Sequence, residues 1–465
     1  MRSPGALLAG GIIALTSGYP GAQAAECQVL RGFAGAEGVG SFVSGSLWRF
    51  DTPAFRNNAM VNGYLSLVGR CSLGDTLSIK TQGNAAYTLQ GRRPGALEDR
   101  QNQGVWLLND LVASWQAREN LYVDAGKIRK NSGYLFSSAP LDLLNNPLGN
   151  LRSARVFAQG DRWRNFYDEG AWGLDTTLYR TAGAFSLTAM PRLRRNNQWF
   201  RSAAQWDALR RTNHSDRYLA SYTASGLNDF NPTVSLLLGS QKTLALGASG
   251  NLTDNLILNL EGSLSHGETW RHLDSIASRR IRQYQYVADP YRLHSRGIQG
   301  DLGIGLRYAT ADRREYGIEY YGQSQGYSRS EWRNHFDTLR FINGGYASAL
   351  PAVSAAALQS GYQQYARQMA AGIDNTSRSG QLFGKHYLTL YFRTSREQVG
   401  SIDYAVSTIT NLIDHSSVLS LHLSTPLKPN LEVYSGVSAT FGSQESEFGT
   451  FGKKGNIYAG MRITW

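Results

Sequence analysis

The sequence predicts an all-β protein, a transmembrane antiparallel up-and-down β-barrel of about eighteen strands, or sixteen if one pair merges. Three observations predict it. Segments of about ten residues alternate apolar and polar side chains with period two, as a wall between lipid and water requires. The connections between them are alternately short and long. A secretory leader stands at one end, and an aromatic residue, Trp465, ends an alternating strand at the other.

Residues 1–24 carry Arg2, an apolar stretch from Ala6 to Leu15 and the small-residue site Ala22-Gln23-Ala24. That is the layout of a cleaved signal peptide, with the mature start near Ala25 or Glu26. Residues 25–40 read as a periplasmic N-terminal segment and 41–465 as the barrel. No plug domain precedes the first strand, which argues against an energy-coupled receptor. No later run reaches eighteen apolar residues, so membrane entry requires a closed barrel whose backbone groups pair within the sheet. Composition agrees: 50 Gly, 25 Tyr against 17 Phe, and only 18% charged residues.

The strands are expected near 41–50, 60–71, 76–89, 104–116, 120–130, 170–180, 184–193, 216–226, 232–240, 243–252, 256–266, 297–310, 315–325, 383–393, 398–411, 416–425, 430–441 and 455–465. Leu77, Ile79, Ala85, Tyr87 and Leu89 face lipid while Ser78, Lys80, Gln82, Asn84 and Thr88 face the lumen. Leu302, Ile304 and Leu306 likewise flank Asp301, Gly303 and Arg307. One set of connections is short and rich in turn formers, for example 72–75, 117–119, 253–255 and 426–429. The other holds the long loops, near 131–169, 194–215, 267–296 and 326–382, although 241–242 and 413–415 are short members of it. This sorting by parity puts the long loops outside and both chain ends at the periplasmic rim. Pro351 to Ala371, rich in Ala, Gln and Leu without alternation, reads either as a helix covering or plugging the mouth or as a solvated excursion.

Cys27 and Cys71 fall on the same side of the barrel in an oxidising compartment, so a disulfide between them is predicted. Trp48, Trp106, Trp115, Tyr308, Tyr316 and Tyr320 lie near strand ends, as interface girdles do. Ile457, Ala459, Met461, Ile463 and Trp465 alternate, and this ending resembles the signal read by the barrel assembly machinery.

The wall charges nearly balance. Lys80, Arg307, Lys385 and Arg393 face the lumen with Asp301 and Glu319, and Asp110, Asp175, Glu261, Asp403 and Glu432 join the acidic side. The formal charge of +12 therefore comes from the outer loops, with Arg194, Arg195, Arg201, Arg210 and Arg211 in one and Arg271, Arg279, Arg280, Arg282, Arg292 and Arg296 in another. A basic mouth concentrates anions; the same arginines also suit lipopolysaccharide phosphates. No nucleic-acid partner is expected. His422 beside Ser420 and Ser424 lacks a matched acid or amide partner, and no nucleotide, metal or nucleophile-elbow motif occurs. Catalytic residues, metal and cofactor are accordingly expected to be none.

The segment 121–147, LYVDAGKIRKNSGYLFSSAPLDLLNNP, followed by EGAWGLDTTLYRTAGAFSLTAMPRL, resembles hairpins of large outer-membrane porin-like barrels, including relatives of the alginate-export barrel. The matching positions are Gly126, Lys127, Gly133, Asp142, Asn145 and Pro147, in about a sixth of the chain. Lys127 stands where arginine is usual, and Asn146 is an insertion. The resemblance implies a channel whose third outer loop folds inward, placing Arg129, Lys130, Arg152, Arg155, Arg162 and Arg164 at or near the constriction. The expected function is passive passage of small polar, anionic solutes across the outer membrane of a Gram-negative bacterium. Its partners are then membrane lipid and lipopolysaccharide, the assembly machinery, and a polar solute or polymer cargo. The alternatives are an export pore for a polymer such as an exopolysaccharide and, in another class, an outer-membrane enzyme or adhesin. The oligomeric state is left open.

Overall fold

The computed structural model describes residues 26–43, 45–48, 58–90, 104–144, 168–194, 209, 212–225, 230–378, 382–396, 398–450 and 452–465. Eighteen antiparallel strands form one closed sheet. They are β1 (Glu26–Val43), β2 (Asn58–Leu73), β3 (Leu77–Gln90), β4 (Gly104–Arg118), β5 (Leu121–Ile128), β6 (Ala171–Arg180), β7 (Gly183–Met190), β8 (Arg217–Ala224), β9 (Phe230–Gly239), β10 (Lys242–Thr253), β11 (Leu256–His266), β12 (Ile298–Ala309), β13 (Arg314–Gln323), β14 (His386–Thr394), β15 (Asp403–Asn411), β16 (Ser417–Lys428), β17 (Leu431–Phe441) and β18 (Lys453–Thr464). Each pairs with its neighbours in sequence, and β1 closes on β18 from Phe33↔Thr464 to Val43↔Lys453.

One expectation fails at the start of the barrel. The first strand is not 41–50 but Glu26–Val43, so residues 26–40 belong to the wall rather than to a separate periplasmic segment. Alternation hides this strand because the residues on the parity of exposed Phe42 are Ala36, Gly38 and Gly40, too small to register as a lipid-facing row. The signal peptide expected at 1–24 lies outside the described residues.

Elsewhere the two faces follow the chemistry. Along β12, Leu302, Ile304 and Leu306 are exposed on the outer face, whereas inward Asp301 is bonded by the Ser263 hydroxyl. Below Gly32, β1 runs on beside β2 alone, and there Cys27 pairs in register with Cys71 and is joined to it by a disulfide. The bond therefore staples two neighbouring strands of the wall. Trp465 completes the seam: its N–H donates to Gly32 O at 3.1 Å and its carbonyl accepts from Gly32 N–H at 2.9 Å.

The outer loops build a cap with its own core. Helices α1 (Ser275–Arg282), α2 (Arg329–Ile342) and α3 (Ala352–Arg378) come from the β11–β12 and β13–β14 connections. Asp274 caps α1 and Ser328 closes a capping box with Glu331 on α2. Trp270, Ile281, Trp332, Phe336, Leu339 and Met369 are among the residues that pack together there. From Ala352 on, the segment 351–371 is thus helical, and its second half, through Tyr365, Ala366, Met369 and Ala370, is buried in this cap. The Trp332 indole N–H donates to Asp414 Oδ2 at 3.0 Å, and Arg340 Nε donates to Glu445 Oε1 at 2.6 Å. These bonds dock α2 on the connections that follow β15 and β17.

Candidate pore constriction

After β5 the chain does not continue outward. Arg129 Nη2 donates to Asp110 Oδ2 at 3.0 Å and to Gln82 Oε1 at 3.1 Å, holding the segment's start against β3 and β4. Lys130 Nζ reaches the other way, to Asp175 Oδ1 at 2.8 Å and Ser186 Oγ at 2.9 Å on β6 and β7. From this footing residues 131–144 cross the lumen.

On the far wall they meet two buried carboxylates. Glu261, on β11, accepts the N–H of Tyr134, of Leu135 at 3.0 Å and of Leu141 at 2.9 Å. Glu319, on β13, accepts Phe136 N–H at 3.0 Å, Ser137 N–H at 2.9 Å and the Ser137 hydroxyl at 2.7 Å. A loop lying in a lumen has no ladder to satisfy its backbone, and an ionised carboxylate accepts several N–H bonds at once. β5 and β13 are eight strands apart in a barrel of eighteen, so the contacts span the pore.

Glycine makes the seat. A Cβ at Gly305 would stand 2.6 Å from Leu135 Cδ2, one at Gly247 would stand 2.7 Å from Leu141 Cδ2, and one at Gly303 would also collide with Leu135. Phe136 packs edge-on to Tyr391 at 5.3 Å, and the Arg393 guanidinium lies 5.0 Å from the Phe136 ring centroid. On the return, Arg217 Nη1 donates to Leu144 O at 3.1 Å.

No protein-family model matches this chain, and no curated protein matches it. Solved structures do. Acinetobacter baumannii OccAB1 is 9% identical, with 95% of this chain and 96% of that one covered and a TM-score of 0.53. Pseudomonas aeruginosa OccK8 (OprE) is 10% identical, with 95% and 98% covered and a TM-score of 0.51. Both are outer-membrane channels. The fold is theirs. At such identity the likeness is one of fold, and it does not show a relationship to the alginate-export barrel.

The residues singled out in the sequence distribute unevenly over this frame. Arg129 and Lys130 root the inward segment, each in contact with a carboxylate. Arg152, Arg155, Arg162 and Arg164 lie outside the described residues, as do Asn145 and Pro147. Lys80, Arg307 and Arg393 keep the lumenal parity of their strands, and Lys385 keeps it one residue before β14. Arg393 is bonded to Glu315 Oε2 at 2.8 Å. Lys127 is not a pore residue: it is buried and paired with Glu169 at 2.7 Å. His422 is buried in the wall, its Nδ1 2.9 Å from the Tyr458 hydroxyl.

Glu261, taken from sequence as one of several wall acids, and Glu319 have a role there that charge counting missed. The signal was present in the lumen-facing glycines of β10 and β12, which leave room for something other than their own side chains.

Proposed function

We propose that this protein is a passive outer-membrane channel for small polar solutes, anions preferred, whose bore is set by residues 129–144. The observation that carries the reading is the bridge from Arg129 and Lys130 to Glu261 and Glu319, which crosses the lumen on fixed bonds. A bore narrowed in this way suits small solutes better than a wide polymer.

Since the cations at the root of the segment are engaged by Asp110 and Asp175, the preference for anions falls to Lys80, Arg307 and Lys385 and to the basic outer loops. Among the described residues no carboxylate lies within ion-pair distance of those three side chains. Cations lining a pore without a direct ion pair lower the barrier for anions. Reversal potentials under a salt gradient in planar bilayers test this. Anion preference is expected, and Arg307→Gln should move the potential toward zero. Cation preference in the native protein would overturn the anionic reading.

A further inference from the structure

At the end of the barrel that carries the short turns, which the parity of the connections puts in the periplasm, the first strand outruns the last. β1 and β18 pair only as far as Gly32 and Trp465. β1 continues down to Glu26 with β2 on one side and, among the described residues, no strand on the other. Every residue of this overhang, Glu26 to Arg31, is exposed, with Val29 at 64% and Leu30 at 49%.

The overhang is held as a strand. Cys27 and Cys71 are joined across the β1–β2 pair, with Cα atoms 4.0 Å apart. So short a separation belongs to an antiparallel pair that exchanges no backbone bonds, roughly 4.5 Å against about 5.5 Å for one that does. The N–H and C=O of Cys27 therefore point away from β2, and by alternation so do those of Val29. The register slips by one residue at Leu30. A slip of this kind turns an edge aside, but this one leaves the stretch below it regular.

An exposed strand edge with apolar side chains is a template for another strand, and proteins ordinarily blunt or cover it. The long connections of this chain all leave from the opposite end of the barrel, so none of them reaches it. A second copy suits it poorly, because two barrels in one membrane hold their first strands parallel whereas the pairs of this sheet are antiparallel. Charge then selects the partner. Arg31 shares the lumenal parity of Arg70, which stands between Gln28 and Lys80, and among the described residues neither arginine is within ion-pair distance of a carboxylate. Glu26, at the far tip, is the only acid of the overhang.

We propose that the Glu26–Arg31 edge is the docking site for an extended acidic segment of a periplasmic protein, which adds as an antiparallel strand below β18. Its backbone meets Cys27 and Val29, its apolar side chains extend the row of Val29, and carboxylates on its other face meet Arg31 and Arg70. This inference stands whichever ions the pore prefers.

The test follows the fluorescence anisotropy of a labelled octapeptide of alternating Val and Glu, added to the detergent-solubilised barrel. Saturable binding is expected. With its glutamates toward Arg31, the docked peptide turns its valine N–H groups to β1. N-methylation of the valines should therefore weaken binding about tenfold or more, the size of one or two backbone hydrogen bonds, whereas N-methylation of the glutamates should leave it unchanged. Val29→Pro, which removes an N–H that β2 does not use, should weaken binding by a similar factor while the barrel still runs compact and heat-modifiable on gels. Arg31→Gln should weaken it by up to about fivefold at low salt and by less at high salt. A peptide that does not bind overturns the proposal. So does binding indifferent to which residues are methylated, since that is adsorption or entry into the lumen, and this outcome is read on the native protein whether or not a variant folds. Dimerisation abolished by Val29→Pro, without peptide binding, would assign the edge to a second copy instead.

Discussion

Glu261 accepts three backbone N–H groups from one loop, so its loss strands three donors at once. An unpaired buried donor costs about 1–3 kcal/mol, and Glu319 adds two backbone donors and a hydroxyl to the same attachment. Glu261→Ala should therefore free residues 131–144 from the far wall and widen the pore. Single-channel conductance should rise, with larger open-state noise. Glu261→Gln, which keeps one carbonyl acceptor, should fall between the two. Unchanged conductance in Glu261→Ala would mean that Leu135 and Leu141 hold the segment by packing against Gly303, Gly305 and Gly247 alone. At this scale the sequence was only half legible. The parity of β11 and β13 gave the inward direction of both acids, but the partners of a lumenal carboxylate come from a loop more than a hundred residues away in sequence. No local pattern announces them.

The strands and the cap differ in how far they can be read from sequence. β12 is legible because both its faces are committed, Leu302, Ile304 and Leu306 to lipid and Asp301 and Arg307 to water. β1 is not, since Gly38 and Gly40 occupy its outer face. The cap is harder still. Its core joins Trp270 to Met369 and Phe383, and only the folded loops bring these together. That core also holds His335, fully buried, stacked on Trp332 at 5.1 Å and near Tyr327 at 5.3 Å. Burial, with His272 close by, lowers its pKa from 6.5 to about 3. Burial lowers His272 as well, against the pull of Glu268. Because the packed cap favours neutral His335, an opened cap takes up a proton below pH 6.5 that the packed one refuses. Stability from this residue is thus full above about pH 6.5 and is lost progressively as the pH falls toward 3. Tryptophan emission, reporting Trp270 and Trp332, should shift red over that interval. His335→Phe should flatten the shift, and a native emission constant from pH 7 to 3 would refute the account.

For the whole molecule, the decisive step is closure, because an open edge cannot remain in lipid. The seam joins the first strand to the last, over 400 residues apart, at Gly32 and Trp465. Here the ring of the terminal tryptophan covers the glycine: a Cβ on Gly32 would stand 2.5 Å from Trp465 Cε2. Gly32→Val should therefore obstruct closure, lowering the fraction of chain that runs as a compact, heat-modifiable barrel on gels. Trp465→Ala removes the ring and should lower the same fraction for a second reason, if the terminal aromatic is read during assembly. The double variant separates the two. With the ring gone, valine at position 32 has nothing to strike, so Gly32→Val/Trp465→Ala should fold as well as Trp465→Ala alone, a non-additivity expected only of residues in direct contact. An additive loss would instead place the harm of Gly32→Val within β1 itself, in its pairing with Leu67 on β2, and the seam would then close without help from the ring.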